Sequence, residues 1–234
     1  MEKKKANSIT VLLKTGKDEQ EIKINKDERK GNTNFGMYNE NENEKEKEEG
    51  EELNSNKVDI GLKFSSNIPV NLPLFRISFN TAQKKCYYKP LINTAKIIIQ
   101  IKINPGSRWV INKNEKYLVG DMVIKLEPSG KEIVVTRLVT NRHREALSKV
   151  FKSTDGIITI GRNKNCNFPL ESTLMSRVHA SVYFNDLTNN WELKDGEMSK
   201  PSANGCYVFT TNSVEIHDKL EVKVNQDTVY FTID

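Results

Sequence analysis

Three short groups in the last third of the chain have residue types and spacings that could do chemistry: Gly161-Arg162, Ser176-Arg177-Val178-His179 and Ala203-Asn204-Gly205. An arginine presents a planar, permanently charged fork that can hold two oxygens at once. A serine hydroxyl adds one donor and an acceptor, and an asparagine amide carries both functions on one side chain. Together they suit an anion with several acceptor oxygens. Ser176 and His179, three residues apart, also raise the question of a hydrolase. A nucleophile, however, needs an oriented base and an oxyanion site. Neither a third partner nor a G-x-S-x-G turn accompanies the pair. The sequence also carries no phosphate-cradling P-loop, no paired acidic dyad in a strand context and no metal-ligand spacing, so it calls for no catalysis, no cofactor and no metal.

The elements that must position these groups read as strands. Ser8–Thr15 and Glu21–Asn25 flank Gly16-Lys17-Asp18 with a period of two, the pattern of a hairpin. Further strand-like stretches are Leu74–Asn80, Cys86–Pro90, Lys96–Ile103, Trp109–Ile111, Met122–Leu126 and Ile133–Val139. They continue with Leu147–Lys152, Gly156–Ile160, His179–Phe184, Trp191–Leu193, Cys206–Phe209, Leu220–Val224 and Thr228–Ile233. No segment has the 3.6-residue period and caps of a long amphipathic helix. The fold class expected is therefore all-β, of sandwich or barrel type. Lys26–Lys57 is rich in Asn, Glu and Lys and poor in large apolar residues, so it reads as a disordered acidic loop that cannot offset the entropy of ordering.

In order along the chain, the polar groups resemble the forkhead-associated (FHA) pattern: a strand ending in Gly161-Arg162, a loop, Ser176-Arg177-Val178-His179, a strand, Trp191-Glu192-Leu193-Lys194-Asp195, then Asn204-Gly205. The resemblance implies a domain at 146–234 that binds phosphothreonine peptides. Arg162 and Ser176 would contact the phosphate, assisted by Arg177, and Asn204 would pair with the peptide backbone. His179 would brace the loops from inside, Gly161 would allow close packing, and Gly205 would take a positive φ. The residue types fit the ligand, because phosphothreonine carries close to two negative charges and three acceptor oxygens. Departures from the pattern are Ala203 and Cys206 beside Asn204-Gly205, where hydroxyl residues are common, a longer loop over Gly196–Ser202 that could bring Lys200 towards the phosphate, and His217 in place of a glycine before Asp218.

The first half resembles a degenerate copy, giving two tandem FHA-like β-sandwiches at 1–145 and 146–234, the first interrupted by the acidic loop 26–57. Asn56–Leu62 matches Asn165–Leu170, and Phe75–Phe79 matches Ala180–Phe184. On that alignment Phe35-Gly36-Met37 stands at Gly161-Arg162, Leu74 at the histidine and Asn93-Thr94 at Asn204-Gly205, so the copy has no phosphate site. Lys131–Thr140 would end the first copy and begin the second.

Charge and composition narrow the partners. The net charge is +5, yet Glu40–Glu52 holds eight Glu against Lys45 and Lys47, a local −6 that leaves +11 on the rest. A basic body favours anionic partners. Lys and Arg are scattered over many strands with no nucleic-acid reader motif, which argues against nucleic acid. No apolar run approaches the ~20 residues of a membrane span, and the first residues lack the apolar core of a signal peptide. An intracellular protein, in nucleus, cytoplasm or cytoskeleton, is expected, with Cys86, Cys166 and Cys206 as reduced thiols. Two functions stay open: an adaptor for one phosphothreonine-containing protein, or a constitutive scaffold subunit of a multi-subunit cytoskeletal or ribonucleoprotein complex.

Overall fold

The computed structural model describes residues 8–16, 18–25, 32–37, 58–65, 68–69, 72–80, 82–92, 94, 96–139 and 145–234. Among these the regular structure is twenty β-strands and one 3-10 turn, Ser153–Asp155, so the all-β expectation holds. No helix among the described residues is long and apolar enough to cross a membrane.

The chain divides into two units, Met1–Ile99 with Thr211–Asp234 (unit 1) and Gln100–Thr210 (unit 2). This is not the division at 145/146 that the sequence suggests. Hydrogen bonding is the reason: the last strand of the chain pairs with the first, from Ile9↔Ile233 to Lys14↔Thr228. Residues 211–234 therefore complete the N-terminal unit and not the segment that precedes them.

Unit 1 contains β1 (Ser8–Lys14), β2 (Glu19–Asn25), β3 (Asn32–Met37), β4 (Ile60–Leu62), β5 (Pro73–Asn80) and β6 (Lys85–Pro90). After β7 (Ile99–Lys102), which spans the division, unit 2 runs through β8 (Trp109–Val110), β9 (Lys116–Val119), β10 (Met122–Ser129), β11 (Glu132–Arg137) and β12 (Leu147–Lys152). It continues with β13 (Ile158–Gly161), β14 (Phe168–Pro169), β15 (Ala180–Asn185), β16 (Asn190–Asp195) and β17 (Cys206–Phe209). The chain then returns to unit 1 as β18 (Val214–Ile216), β19 (Lys219–Val224) and β20 (Asp227–Ile233).

In unit 1 one sheet has the order β4-β3-β5-β6-β18, and the other sheet's strands run β2-β1-β20-β19. Within unit 2 the corresponding orders are β14-β13-β15-β16-β8 and β12-β11-β10-β9-β17-β7. Side chains alternate between faces along each strand, and the buried ones follow that period: Ile9, Val11 and Leu13 on β1, Met122, Ile124 and Leu126 on β10. In unit 1 the two sheets meet at Phe231, whose ring lies 5.4 Å from Phe75 edge-on and 5.2 Å from Tyr88. In unit 2 the buried Trp191 packs edge-on against Phe184 at 5.4 Å and donates from Nε1 to the Gly130 carbonyl at 3.1 Å.

Part of the expected acidic loop is ordered. Within the stretch read as a disordered loop, Asn32–Met37 is β3, a strand between β4 and β5. Its Phe35 is fully buried and stacks on Phe75 at 5.0 Å, so one aromatic ring anchors a segment whose neighbours are polar. The rest of 26–57 lies outside the described residues.

Candidate functional site

The site begins where β13 ends. Gly161 accepts from the Leu170 N–H at 2.9 Å, while the Arg162 and Asn163 N–H groups donate to the Ser176 and Arg177 carbonyls at 3.1 Å each. These bonds clip the turn after β13 to the loop before β15. The approach is so close that a Cβ on Gly161 would stand 2.2 Å from the Arg177 carbonyl oxygen, so any side chain there forces the two backbones apart. The clip brings Arg162 beside Ser176-Arg177, which are fourteen and fifteen positions further along the chain.

A second set of bonds joins this loop to the one preceding β17. The Ala203 N–H donates to Ser176 Oγ at 3.0 Å, and Asn204 Nδ2 donates to the Leu174 carbonyl at 2.9 Å. Ser176 thereby retains its hydroxyl proton as a donor, and Asn204 retains its Oδ1 as an acceptor. Arg162, Arg177 and Asn204 are exposed, and Ser176 is half-buried. The guanidinium groups of Arg162 and Arg177 have no hydrogen-bond or ion-pair partner among the described residues. The four residues expected to bind ligand thus share one hydrogen-bonded surface formed by three loops. Gly205 has φ +76°, as expected, and a Cβ there would come within 3.0 Å of Lys102 Cε. The sequence did not signal Lys102 at the site, because it lies on β7, more than a hundred residues away.

His179 lies beneath these loops, fully buried. Its Nδ1 accepts the Ser176 N–H at 2.9 Å, which puts the imidazole proton on Nε2, 3.2 Å from both the Gly205 carbonyl and Ser202 Oγ. The Gly120 amide also approaches Nε2, at 3.1 Å, but a protonated nitrogen cannot accept from it. Burial lowers the His179 pKa against the opposing pull of the Gly205 carbonyl, Asp195 and Asp121, so the ring is held neutral. Ser202 is a residue the sequence reading missed. Its hydroxyl donates to Asp195 Oδ1 at 2.6 Å and accepts the Gly205 N–H at 2.9 Å. Its hydroxyl proton is committed to Asp195, so it braces the loop from within and does not replace the hydroxyl that Ala203 lacks.

His179, Asp195 and Cys206 have ligand atoms within 4.8 Å of one another, all buried, which is a grouping capable of holding a metal. Hydrogen bonds account for it instead: Asp195 engages both the N–H and the hydroxyl of Ser202, and Cys206 Sγ points at the His179 carbonyl from 3.4 Å. The long Gly196–Ser202 loop closes on itself. Glu197 N–H donates to the Lys200 carbonyl at 2.8 Å, and Gly196, at φ +75°, leaves no room for a side chain against that same carbonyl. Lys200 is exposed on this turn.

At the matching end of β3 in unit 1, a Cβ on Gly36 would meet the Leu72 carbonyl oxygen at 2.5 Å. Leu91 N–H donates to the Leu74 carbonyl at 2.9 Å, as Gly196 N–H does to His179 at 2.8 Å. Met37, Leu72 and Leu74 stand there in the places that Arg162, Arg177 and His179 occupy in unit 2. Asn93 lies outside the described residues.

Residues 158–231 match the family model of the FHA domain, and this stretch is an FHA domain. No curated protein and no solved structure matches the chain. FHA domains are non-catalytic protein-interaction modules that bind phosphothreonine peptides of partner proteins. The matched stretch runs across the division between the units at 210/211.

Proposed function

We propose that the protein is a non-catalytic adaptor that docks a phosphothreonine-bearing partner on the surface formed by Arg162, Ser176, Arg177 and Asn204. The observation that carries this reading is a pair of exposed arginines, their guanidiniums without partners among the described residues, on loops clipped together at a serine whose hydroxyl proton is still available. Two arginines and a hydroxyl match the charge and acceptor count of a phosphate dianion. Asn204, tethered through Nδ2, offers Oδ1 to a backbone N–H of the bound chain. Gly161, His179 and Gly205 support the site without touching the ligand. The protein works inside the cell, where its three buried thiols stay reduced.

Titration with a phosphothreonine peptide library tests the reading. Arg162→Ala removes at least one charge-assisted hydrogen bond, worth about 1.5–3 kcal/mol, and is expected to weaken binding tenfold or more. Equal binding of the unphosphorylated peptides refutes it. A second reading, a constitutive scaffold subunit in a cytoskeletal or ribonucleoprotein complex, is favoured by unit 1, where Met37, Leu72 and Leu74 offer a phosphate nothing. A native complex that survives phosphatase treatment supports the scaffold over the phosphate reader.

A further inference from the structure

The two units have the same strand plan, displaced along the chain by ten strands. Parallel pairing of β3 with β4 at Phe35↔Ile60 and Gly36↔Gly61 corresponds to pairing of β13 with β14 at Ile160↔Phe168 and Gly161↔Pro169. Asp59 Oδ2 accepts the Asn34 N–H at 2.7 Å, and Asn167 Oδ1 accepts the Thr159 N–H at 2.9 Å, one residue earlier in each case. Next come Phe35↔Phe75 and Ile160↔Ala180, then Phe75↔Pro90 and Ala180↔Asp195. Strands 3 to 6 thus map residue by residue onto strands 13 to 16, and the β1–β2 pair takes the place of β11–β12 in the strand order.

The mapping continues into the closing strands, but with a change of owner. β6 is flanked by β18, with Tyr88↔Val214 and Tyr87↔Glu215. β16 is flanked by β8, with Leu193↔Trp109 and Glu192↔Val110. β20 pairs with β1, and β10 pairs with β11. By the ten-strand displacement, β8–β10 are the last three strands of the first copy and β18–β20 those of the second. Each set closes the other copy's sheets.

We infer that the chain is a duplicated sandwich whose two copies have exchanged their last three strands, so that the phosphate-binding loop of the second copy is braced by the Gly120-Asp121 hairpin of the first. The contacts are direct. Asp121 Oδ1 accepts the Ser172 hydroxyl at 2.5 Å, and Met175, immediately before Ser176, packs on Gly120, whose Cβ would lie 3.4 Å away. The hairpin turns at Gly120, φ +66°. In unit 1 the equivalent hairpin turns at Asn225, φ +54°, and it holds the loop after β4 in the same way. Ser65 N–H donates to Asp227 Oδ2 at 2.9 Å, the Ser65 hydroxyl bonds Asp227 Oδ1, and Gln226 Nε2 reaches Ser65 Oγ at 3.2 Å. The brace occurs twice, each time supplied by the other copy. Asp121 and Ser172 are therefore positioning residues for a ligand they do not touch, and the cut at 145/146 would remove them from each other.

The exchange is tested on the full chain with cysteine pairs. Facing strand positions lie within the usual Cα span of a disulfide. Tyr87→Cys with Glu215→Cys, and Val110→Cys with Glu192→Cys, are expected to form intrachain disulfides on mild oxidation. The unexchanged pairs, Tyr87→Cys with Val110→Cys and Glu192→Cys with Glu215→Cys, are expected to stay reduced. The reverse pattern overturns the exchange, and neither pattern depends on phosphopeptide binding. The brace rests on the phosphothreonine reading and is tested by titration. Asp121→Ala and Ser172→Ala should each weaken a phosphothreonine peptide roughly two- to tenfold, with the double variant no worse than either single and Asp121→Asn close to wild type. Unchanged affinity in Asp121→Ala overturns the brace. If the wild-type chain binds no phosphopeptide, the functional reading fails, and faster hydrogen exchange of the 172–179 amides in Asp121→Ala then decides the brace.

Discussion

Unit 1 and unit 2 share a strand path and differ at its tip. Where unit 2 has Arg162, Arg177, His179 and Asp195, unit 1 has Met37, Leu72, Leu74 and Pro90, yet Gly36 and Gly161 are both kept. In each unit that glycine lies against a loop carbonyl, at 2.5 and 2.2 Å from where its Cβ would be. The comparison separates two requirements. Close passage of one backbone over another belongs to the architecture and persists without a ligand, whereas the polar set is needed only where an anion must be met. His179 and Asp195, buried, and the half-buried Ser202 form a network in which each polar atom must be satisfied. Leu74, buried at the same place, needs no partners at all.

Phe231 carries the largest expected effect on the division into two units. It lies within the stretch matching the FHA domain but packs among Phe75 and Tyr88 in unit 1. Phe231→Ala removes a fully buried ring and should cost about 3–5 kcal/mol. Hydrogen exchange should show the loss of protection in β3, β5 and β6, with β13 and β15 unaffected. Loss confined to β13 and β15 instead would return 211–234 to the second half and dissolve the two units as drawn.

The two close-packed glycines have a smaller effect. Gly161→Ala and Gly36→Ala both force a Cβ against a carbonyl that belongs to the backbone, and overpacking of this kind costs about 1–3 kcal/mol. Thermal unfolding should report both losses. Phosphopeptide affinity should fall only in Gly161→Ala, because only there does the displaced carbonyl belong to a loop holding Ser176 and Arg177. An equal loss of affinity in Gly36→Ala would mean that unit 1 carries part of the binding surface after all.

Much of this was legible in the sequence, and the omissions have physical causes. Long strands such as β1, β10 and β20 announce themselves because alternation over six or more residues is a strong pattern. β4, β14 and β18 are two or three residues long and have no period to read. β3 was missed because a buried strand with a single large apolar side chain in the core looks, by composition, like its surroundings. Arg162, Ser176, Arg177 and Asn204 could be singled out because the proposed anion dictates their residue types. Ser202 and Asp121 were not, because their role is set by which loop passes beside them, and that depends on pairing between segments far apart in the chain. Strand exchange is hidden for the same reason: both copies read identically along the sequence whichever sandwich their last strands close.

The last difference is one of titration, since unit 2 buries His179 where unit 1 buries Leu74. Burial lowers the folded-state pKa of His179, whereas in the unfolded chain the value returns to about 6.5. Between the two values the unfolded chain binds more protons, so stability rises with pH across that window. Unit 2 is therefore at full stability above about 6.5 and loses some of it as the pH falls from there through the folded pKa. Protonation of Nδ1 also abolishes its bond from the Ser176 N–H, releasing the loop at Ser176. The unliganded protein is the right sample, because phosphothreonine loses its own second charge near pH 6. Hydrogen exchange of the 176–179 and 202–205 amides should quicken on acidification through this range, while the 72–76 amides around Leu74 hold their protection. A His179→Gln variant, which does not titrate, should flatten the response in unit 2. If it leaves the acid sensitivity of those loops intact, the proton is being taken up elsewhere.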